Sequence, residues 1–182
     1  MEVQKRQTQT KEILKTALIQ LLQTKEFEAI TVSDISRTAG VNRGTFYLHY
    51  VDKFDMMKQL EKEILHHILM ILNHHSITQK QEAYPAVVQI FEYLKEEFEF
   101  IYAITTSRFT YTNQLVRKFL MELMEKMDSI KQNLKQELPI PEDYAREVFI
   151  YSNSAIIFHW ILKGGVESPE EITKIFLGMC QE

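Results

Sequence analysis

Between Thr31 and Lys53 the chain reads TVSDISRTAGVNRGTFYLHYVDK, a stretch that admits very few folds. Thr31 is a good helix N-cap, and Asp34, three residues on, complements the orphan amides and positive end of the helix it opens. Ile35 and Ala39 fall one turn apart on one face, and Ala39 is small enough for a second helix to approach closely. Gly40 can take the left-handed conformation that stops a helix, Val41 plugs the turn, and Asn42 is again an N-cap type. The spacing predicts a second short helix over 43–50, with Phe46 available for the core. Arg43, Gly44, Thr45, Tyr47 and His49 then lie on or near the outward side. Asp52 caps the helix that follows, with Asp55 at its third position. Lys53, in the first turn of that helix, opposes the helix dipole, and an anionic partner such as a phosphate removes that conflict. A glycine-stopped helical hairpin is common on its own. The cap, the Ala-Gly-Val turn, the Arg-Gly-Thr-Phe-Tyr run and the trailing lysine in this order are not, and they read as a helix-turn-helix.

Helical spacing continues to the end of the chain. Ile13, Leu14, Ala17, Leu18, Leu21 and Leu22 form a stripe that predicts a first helix over 8–25. A fourth helix is expected from Lys53 into the His74 region, with Met57, Leu60, Ile64, Ile68 and Ile71 on one face. A fifth is expected to open at Tyr84–Pro85 and to carry its stripe as far as Ile101. Residues 105–113 read as a break or a short helix, 115–134 as another helix, and ELPIPED as a linker. A long helix over 142–163 stops at Gly164–Gly165, and Ser168-Pro169-Glu170-Glu171 opens the last one with a capping box. With five Gly and four Pro in 182 residues, little of the chain is left for sheet turns. The expectation is therefore an all-α chain of about nine helices. It comprises a three-helix helix-turn-helix domain over 1–52 and a helical body over 53–182.

The net charge of −4 is unevenly spread: residues 1–50 carry seven Lys/Arg against five Asp/Glu, and the remainder fourteen against twenty. A weakly basic head on an acidic body suits local contact with double-stranded DNA. A single Cys, Cys180, excludes an internal disulfide, the opening MEVQKRQTQTK has no apolar signal region, and the apolar run 155–162 is too short to span a bilayer. A cytoplasmic chain without membrane partners is expected.

The matching residues Thr31, Ile35, Ala39, Gly40, Val41, Gly44, Thr45, Phe46, Tyr47, His49, Tyr50 and Lys53 resemble the DNA-binding domain of the TetR/AcrR family of bacterial transcriptional regulators. The resemblance covers the first third of the chain. It departs at Phe54, where the family usually carries an acidic or polar residue; the apolar ring is expected to pack toward the body. On matching positions, Arg43, Gly44 and Thr45 are expected to reach base edges, and Thr31, Tyr47, His49 and Lys53 to hold phosphates. Ser33 adds a base or phosphate contact, Asn42 serves mainly as a cap, and Tyr50 packs beneath the hairpin. The resemblance further implies a homodimeric repressor on a pseudo-palindromic operator, released by a small-molecule effector. Its dimer interface falls on the last two helices, with Phe149, Ile156, Trp160, Ile172, Ile175, Phe176 and Met179 as candidates. Phe91, Phe98, Tyr102, Arg108, Phe119 and His159 are candidates for the effector pocket, although the aromatics among them serve equally as core.

Other chemistries find less support. His66, His67, His74 and His75 lie on the fourth helix, but His67 and His74 are two turns apart and too distant to chelate one ion unaided, so no metal is expected. No phosphate-binding glycine loop, paired zinc motif or G-x-S-x-G elbow is present, which argues against an enzyme and a cofactor. The competing class is a protein-binding adaptor that keeps a helix-turn-helix shape without effector-gated DNA binding.

Overall fold

The computed structural model describes residues 2–75, 77, 80–107, 111–126 and 139–178. Among them are nine α-helices, one 3-10 turn and no strand. They are α1 (Glu2–Leu22), the 3-10 turn Phe27–Ala29, α2 (Val32–Thr38), α3 (Arg43–Tyr47), α4 (Lys53–His74), α5 (Lys80–Glu96), α6 (Phe98–Thr106), α7 (Tyr111–Lys126), α8 (Glu142–Leu162) and α9 (Pro169–Gly178). No described helix is long and apolar enough to cross a membrane. The chain divides into two compact units: Met1–Lys62 with Glu99–Phe109, and Glu63–Phe98 with Thr110–Glu182.

In the first unit α1 packs on α2 and α2 on α3. Leu14, Leu18, Phe27, Ile30, Ile35, Phe46 and Tyr50 are buried together with Met56 of α4 and Phe100 of α6. The turn between α2 and α3 is a Schellman closure. Gly40 sits at φ 67, its amide donates to the Arg37 carbonyl at 3.1 Å, and Val41 N–H donates to the Ser36 carbonyl at 2.9 Å. Pairing these last carbonyls fixes where α2 ends and hence the angle at which α3 leaves.

In the second unit α5 packs on α9, α7 on α8 and α8 on α9. The α7–α8 pair is tied by a two-pronged ion pair in which both Arg117 nitrogens meet the Glu147 carboxylate at 2.7 Å. That contact holds Glu147 below the ordinary carboxylate range and Arg117 above its own. α8 ends on a second Schellman closure, with Gly164 at φ 92 and Gly165 at φ 62, and the Gly165 amide bonded to the Trp160 carbonyl at 2.9 Å. Ser168 and Glu171 form the expected capping box: Ser168 N–H donates to Glu171 Oε2 at 2.8 Å, and Glu171 N–H to Ser168 Oγ at 3.2 Å.

The helix boundaries depart from the sequence reading in two instructive places. α5 opens at Lys80, so Pro85 lies inside the helix rather than in its first turn. The stripe expected to run unbroken to Ile101 is interrupted at Glu97, which separates α5 from α6.

The aromatic residues of the second unit form a core. Phe91 meets Trp160 at 5.3 Å and Phe176 at 5.9 Å between ring centroids, Phe98 meets Trp160 at 5.6 Å, and Phe119 stacks on Phe176 at 6.3 Å. Of the pocket candidates, Phe91 and Phe98 thus pack on Trp160, and Phe91 and Phe119 on Phe176. Tyr102 lies in the first unit and is exposed, His159 is exposed, and Arg108 lies outside the described residues. A surface hollow of about 440 Å³ is lined by Val166, Glu167, Glu171, Lys174 and Ile175, none of which was expected in a pocket.

The interface candidates divide by burial. Trp160 is 1% exposed and Phe176 0%, and Phe149 and Ile172 are buried too, so their apolar area is already used within the chain. Ile156 is half-buried, Ile175 is exposed, and Met179 lies outside the described residues. The exposed face of α8 instead carries Tyr144, Val148, Tyr151, Ala155, His159 and Leu162. At about 100° per residue these six fall within one narrow stripe.

Candidate nucleic-acid interface

Local hydrogen bonding builds the α2–α3 surface. Thr31 Oγ1 accepts from Asp34 N–H at 3.1 Å and donates to Asp34 Oδ2 at 2.8 Å, while Thr31 N–H donates to the same carboxylate at 3.1 Å. This reciprocal box holds Asp34 below the ordinary carboxylate range, the Thr31 hydroxyl contributing most, with Lys25 and Arg37 adding to it. The hydroxyl proton of Thr31, expected to face a phosphate, is thus committed to Asp34. Ser33 follows in the first turn of α2, half-buried.

Asn42 performs the capping role read from the sequence. Its Oδ1 accepts from Thr45 N–H at 2.8 Å and from Thr45 Oγ1 at 3.1 Å. Gly44 leaves room for that cap, since a Cβ there would come to 3.1 Å of Asn42 Oδ1. Phe46 is the core anchor of α3, meeting Tyr50 at 5.6 Å and the edge of Tyr47 at 5.6 Å. Tyr50 is buried as expected, with Lys11 Nζ 5.7 Å from its ring centre. Arg43, Gly44 and Tyr47 are exposed on α3, and His49 is half-buried beside Tyr50. Two neighbours that the sequence reading passed over stand out further: Leu48 is 81% exposed and Val51 78%.

Asp52 and Asp55 begin α4 as expected. Asp52 Oδ1 accepts from Asp55 N–H at 2.8 Å, and Asp55 Oδ2 accepts from Val51 N–H at 2.9 Å, a bond that lowers the Asp55 pKa. Lys53 departs from its expected role. Its ammonium donates to the carbonyls of Phe27, Glu28 and Ile30 at 2.8, 2.7 and 2.7 Å, and it sits 4.9 Å from the Phe27 ring centre and 5.2 Å from that of Phe54. All three of its protons are turned inward. Burial lowers the ammonium's pKa, and Glu28 opposes that shift. Carbonyls of the 3-10 turn and of Ile30 thus answer, within the chain, the conflict with the helix dipole. Phe54 likewise packs edge-on against Phe27 at 5.4 Å, within the first unit.

The histidines of α4 are dispersed. His67 stacks on Tyr93 at 4.0 Å, His75 Nε2 lies 3.2 Å from Gln89 Oε1, and no group of three or more His, Cys, Asp or Glu able to hold a metal occurs among the described residues.

A capped two-helix hairpin with this outward face coincides with a family match. Residues 8–60 match the family model described as bacterial regulatory proteins, tetR family, and residues 81–182 match that described as transcriptional regulator C-terminal region. The chain belongs to the TetR family of bacterial transcriptional regulators. This TetR-family chain is 26% identical over 172 residues to the uncharacterized HTH-type transcriptional regulator YxbF of Bacillus subtilis (strain 168), covering 88% of this chain and 42% of that protein. It is 36% identical over 53 residues to the uncharacterized HTH-type transcriptional regulator YwcC of the same organism, covering 26% of this chain and 24% of that protein. The chain spans less than half the length of either relative. Among solved structures, a TetR transcriptional regulator from Streptococcus agalactiae 2603V is similar at a TM-score of 0.67 and 24% identity, covering 100% of this chain and 99% of that one. The dihydroxyacetone kinase operon activator DhaS is similar at a TM-score of 0.58 and 19% identity, covering 94% and 93%. These likenesses carry the fold, helix-turn-helix included.

Proposed function

We propose that this TetR-family chain acts as a homodimeric repressor that binds a pseudo-palindromic operator and leaves it when a small-molecule effector binds. The observation that carries the reading is the exposed surface of α3: Arg43 at its first position, Gly44 and Tyr47 are open to solvent while Phe46 and the Asn42 cap hold the helix in place. Arginine at the start of such a helix can donate two bonds to guanine, and an exposed tyrosine hydroxyl can donate to a phosphate. Thr45 and His49 flank this face, and Ser33 and Thr31 adjoin it on α2. Two-fold pairing through the apolar stripe of α8, with Tyr151 at 69% exposure, supplies the second reader that a palindrome requires. An effector releases DNA only if it binds the DNA-incompetent state better than the DNA-bound one.

Footprinting on genomic fragments tests the reading together with the salt dependence of binding. The expected result is a protected pseudo-palindrome whose affinity falls steeply with salt. Arg43→Ala should relax sequence preference, and Tyr47→Phe should weaken binding to all sequences. Tyr151→Glu should yield a monomer by light scattering and lose the operator. Salt-insensitive capture of a protein without DNA protection would show the adaptor instead.

A further inference from the structure

We infer that Leu48 is a specificity-determining residue that recognises the C5-methyl group of a thymine in each operator half-site. The inference rests on the DNA-binding reading above. It starts from the most exposed large apolar side chain of the described residues, Leu48 at 81%. Leu48 closes α3 and retains helical geometry, with φ −71 and ψ −18. Successive helical residues are separated by about 100° around the axis, so direction can be counted from Phe46, which is fully buried and marks the core side. Two residues on, Leu48 points about 160° away from it on one side, and Gly44, two residues back, about 160° away on the other. The line facing directly outward therefore runs between Gly44 and Leu48. Tyr47 and Thr45 flank it at about a quarter turn from Phe46, and Arg43 and His49 lie closer to the core side.

Gly44 has no side chain, so Leu48 is the side chain standing on that line. A helical side chain covers the surface over the turn N-terminal to its own Cα, which for Leu48 is the space above Gly44. A base pair drawn close by the bare Gly44 backbone meets the leucine methyl groups. Leucine offers neither donor nor acceptor to a base edge. The one feature of the major groove that rewards an apolar contact is the thymine C5-methyl group. Val51, at 78% exposure, extends the apolar surface away from this line.

The test uses the full chain and a duplex of about 30 base pairs enriched by the wild-type protein from a randomised pool. Each thymine is replaced in turn by deoxyuracil, which removes only the methyl group. At one symmetric position per half-site, the replacement should weaken wild-type binding about fourfold for each methyl lost. The same replacement should leave Leu48→Ala unaffected, with the salt slope of binding unchanged because no charge is removed. Placing cytosine and then 5-methylcytosine at that position separates the methyl group from the rest of the base; recovery on methylation by the wild type alone supports the assignment. The inference is overturned if no thymine position responds, or if Leu48→Ala responds as the wild type does. Those outcomes leave DNA binding itself intact, whereas failure to enrich any duplex removes both readings. Circular dichroism confirms that the variant is folded, as expected for so exposed a site.

Discussion

Replacing Lys53 by methionine separates two roles for one ammonium group. Methionine retains most of the aliphatic contact with Phe27 and Phe54 and removes the three bonds to the Phe27, Glu28 and Ile30 carbonyls. Hydrogen bonds to a charged group contribute about 1.5–3 kcal/mol each. Lys53 is only half-buried and the bond to Glu28 is exposed, so water replaces part of that loss and the net cost should be about 2–3 kcal/mol. For a chain of this size that lowers Tm by about 5–10 °C, read by circular dichroism. The second assay is the salt dependence of binding to a fluorescent duplex at a temperature where the variant is folded. A strut that ties the 3-10 turn to α4 changes stability and leaves the slope of log K against log salt alone. A phosphate contact leaves Tm alone and makes that slope shallower by about one. An unchanged Tm together with the shallower slope would refute the strut.

Three further outcomes follow from particular contacts. Gly165→Ala places a Cβ 2.6 Å from Phe98 Cε2 at a φ of +62, so it should cost about 2–4 kcal/mol in denaturant unfolding; a neutral result would mean that the Phe98–Trp160 pair yields readily. Asn42→Ala removes the cap of α3 and should cost about 1 kcal/mol, with operator affinity falling further than stability because α3 carries the reader. Glu61 is half-buried, one carboxylate oxygen is buried without a hydrogen-bond partner, and burial raises its pKa from 4.5 to about 7. The folded state then holds a proton that the unfolded state has already lost, so stability declines as pH rises from about 4.5 to 7. Allowing for solvent screening, Glu61→Gln should stabilise by about 1–2 kcal/mol at pH 8 and by almost nothing at pH 4, as read from urea midpoints.

Where the sequence reading held and where it slipped follows from the range of the forces involved. The caps at Thr31, Asn42, Asp52 and Ser168 and the stops at Gly40 and Gly164–Gly165 are satisfied within a few residues, so a local pattern suffices to place them. Lys53 is different: its acceptors lie 23 to 26 residues earlier, and no local spacing points a lysine at them. The long helix α8 exposes a second limit. It is apolar most of the way round, and periodicity cannot say which apolar side meets its own body. The face chosen from spacing, with Phe149, Ile156 and Trp160, is centred about 130° around the helix from the exposed stripe of Tyr144, Val148, Tyr151 and Leu162. Only packing within the chain settles the direction: Phe91 of α5 and Phe98 of α6 close on Trp160 and leave that indole no outward surface. The stripe left exposed begins and ends with large apolar groups and carries Val148, Tyr151, Ala155 and His159 between them, without a Lys, Arg, Asp or Glu among its six residues. A solvated helix face seldom lacks charge over that length. This argues for a second helix lying along it, and under the proposed reading of a palindromic operator the copy of α8 itself would be the partner that two-fold symmetry provides.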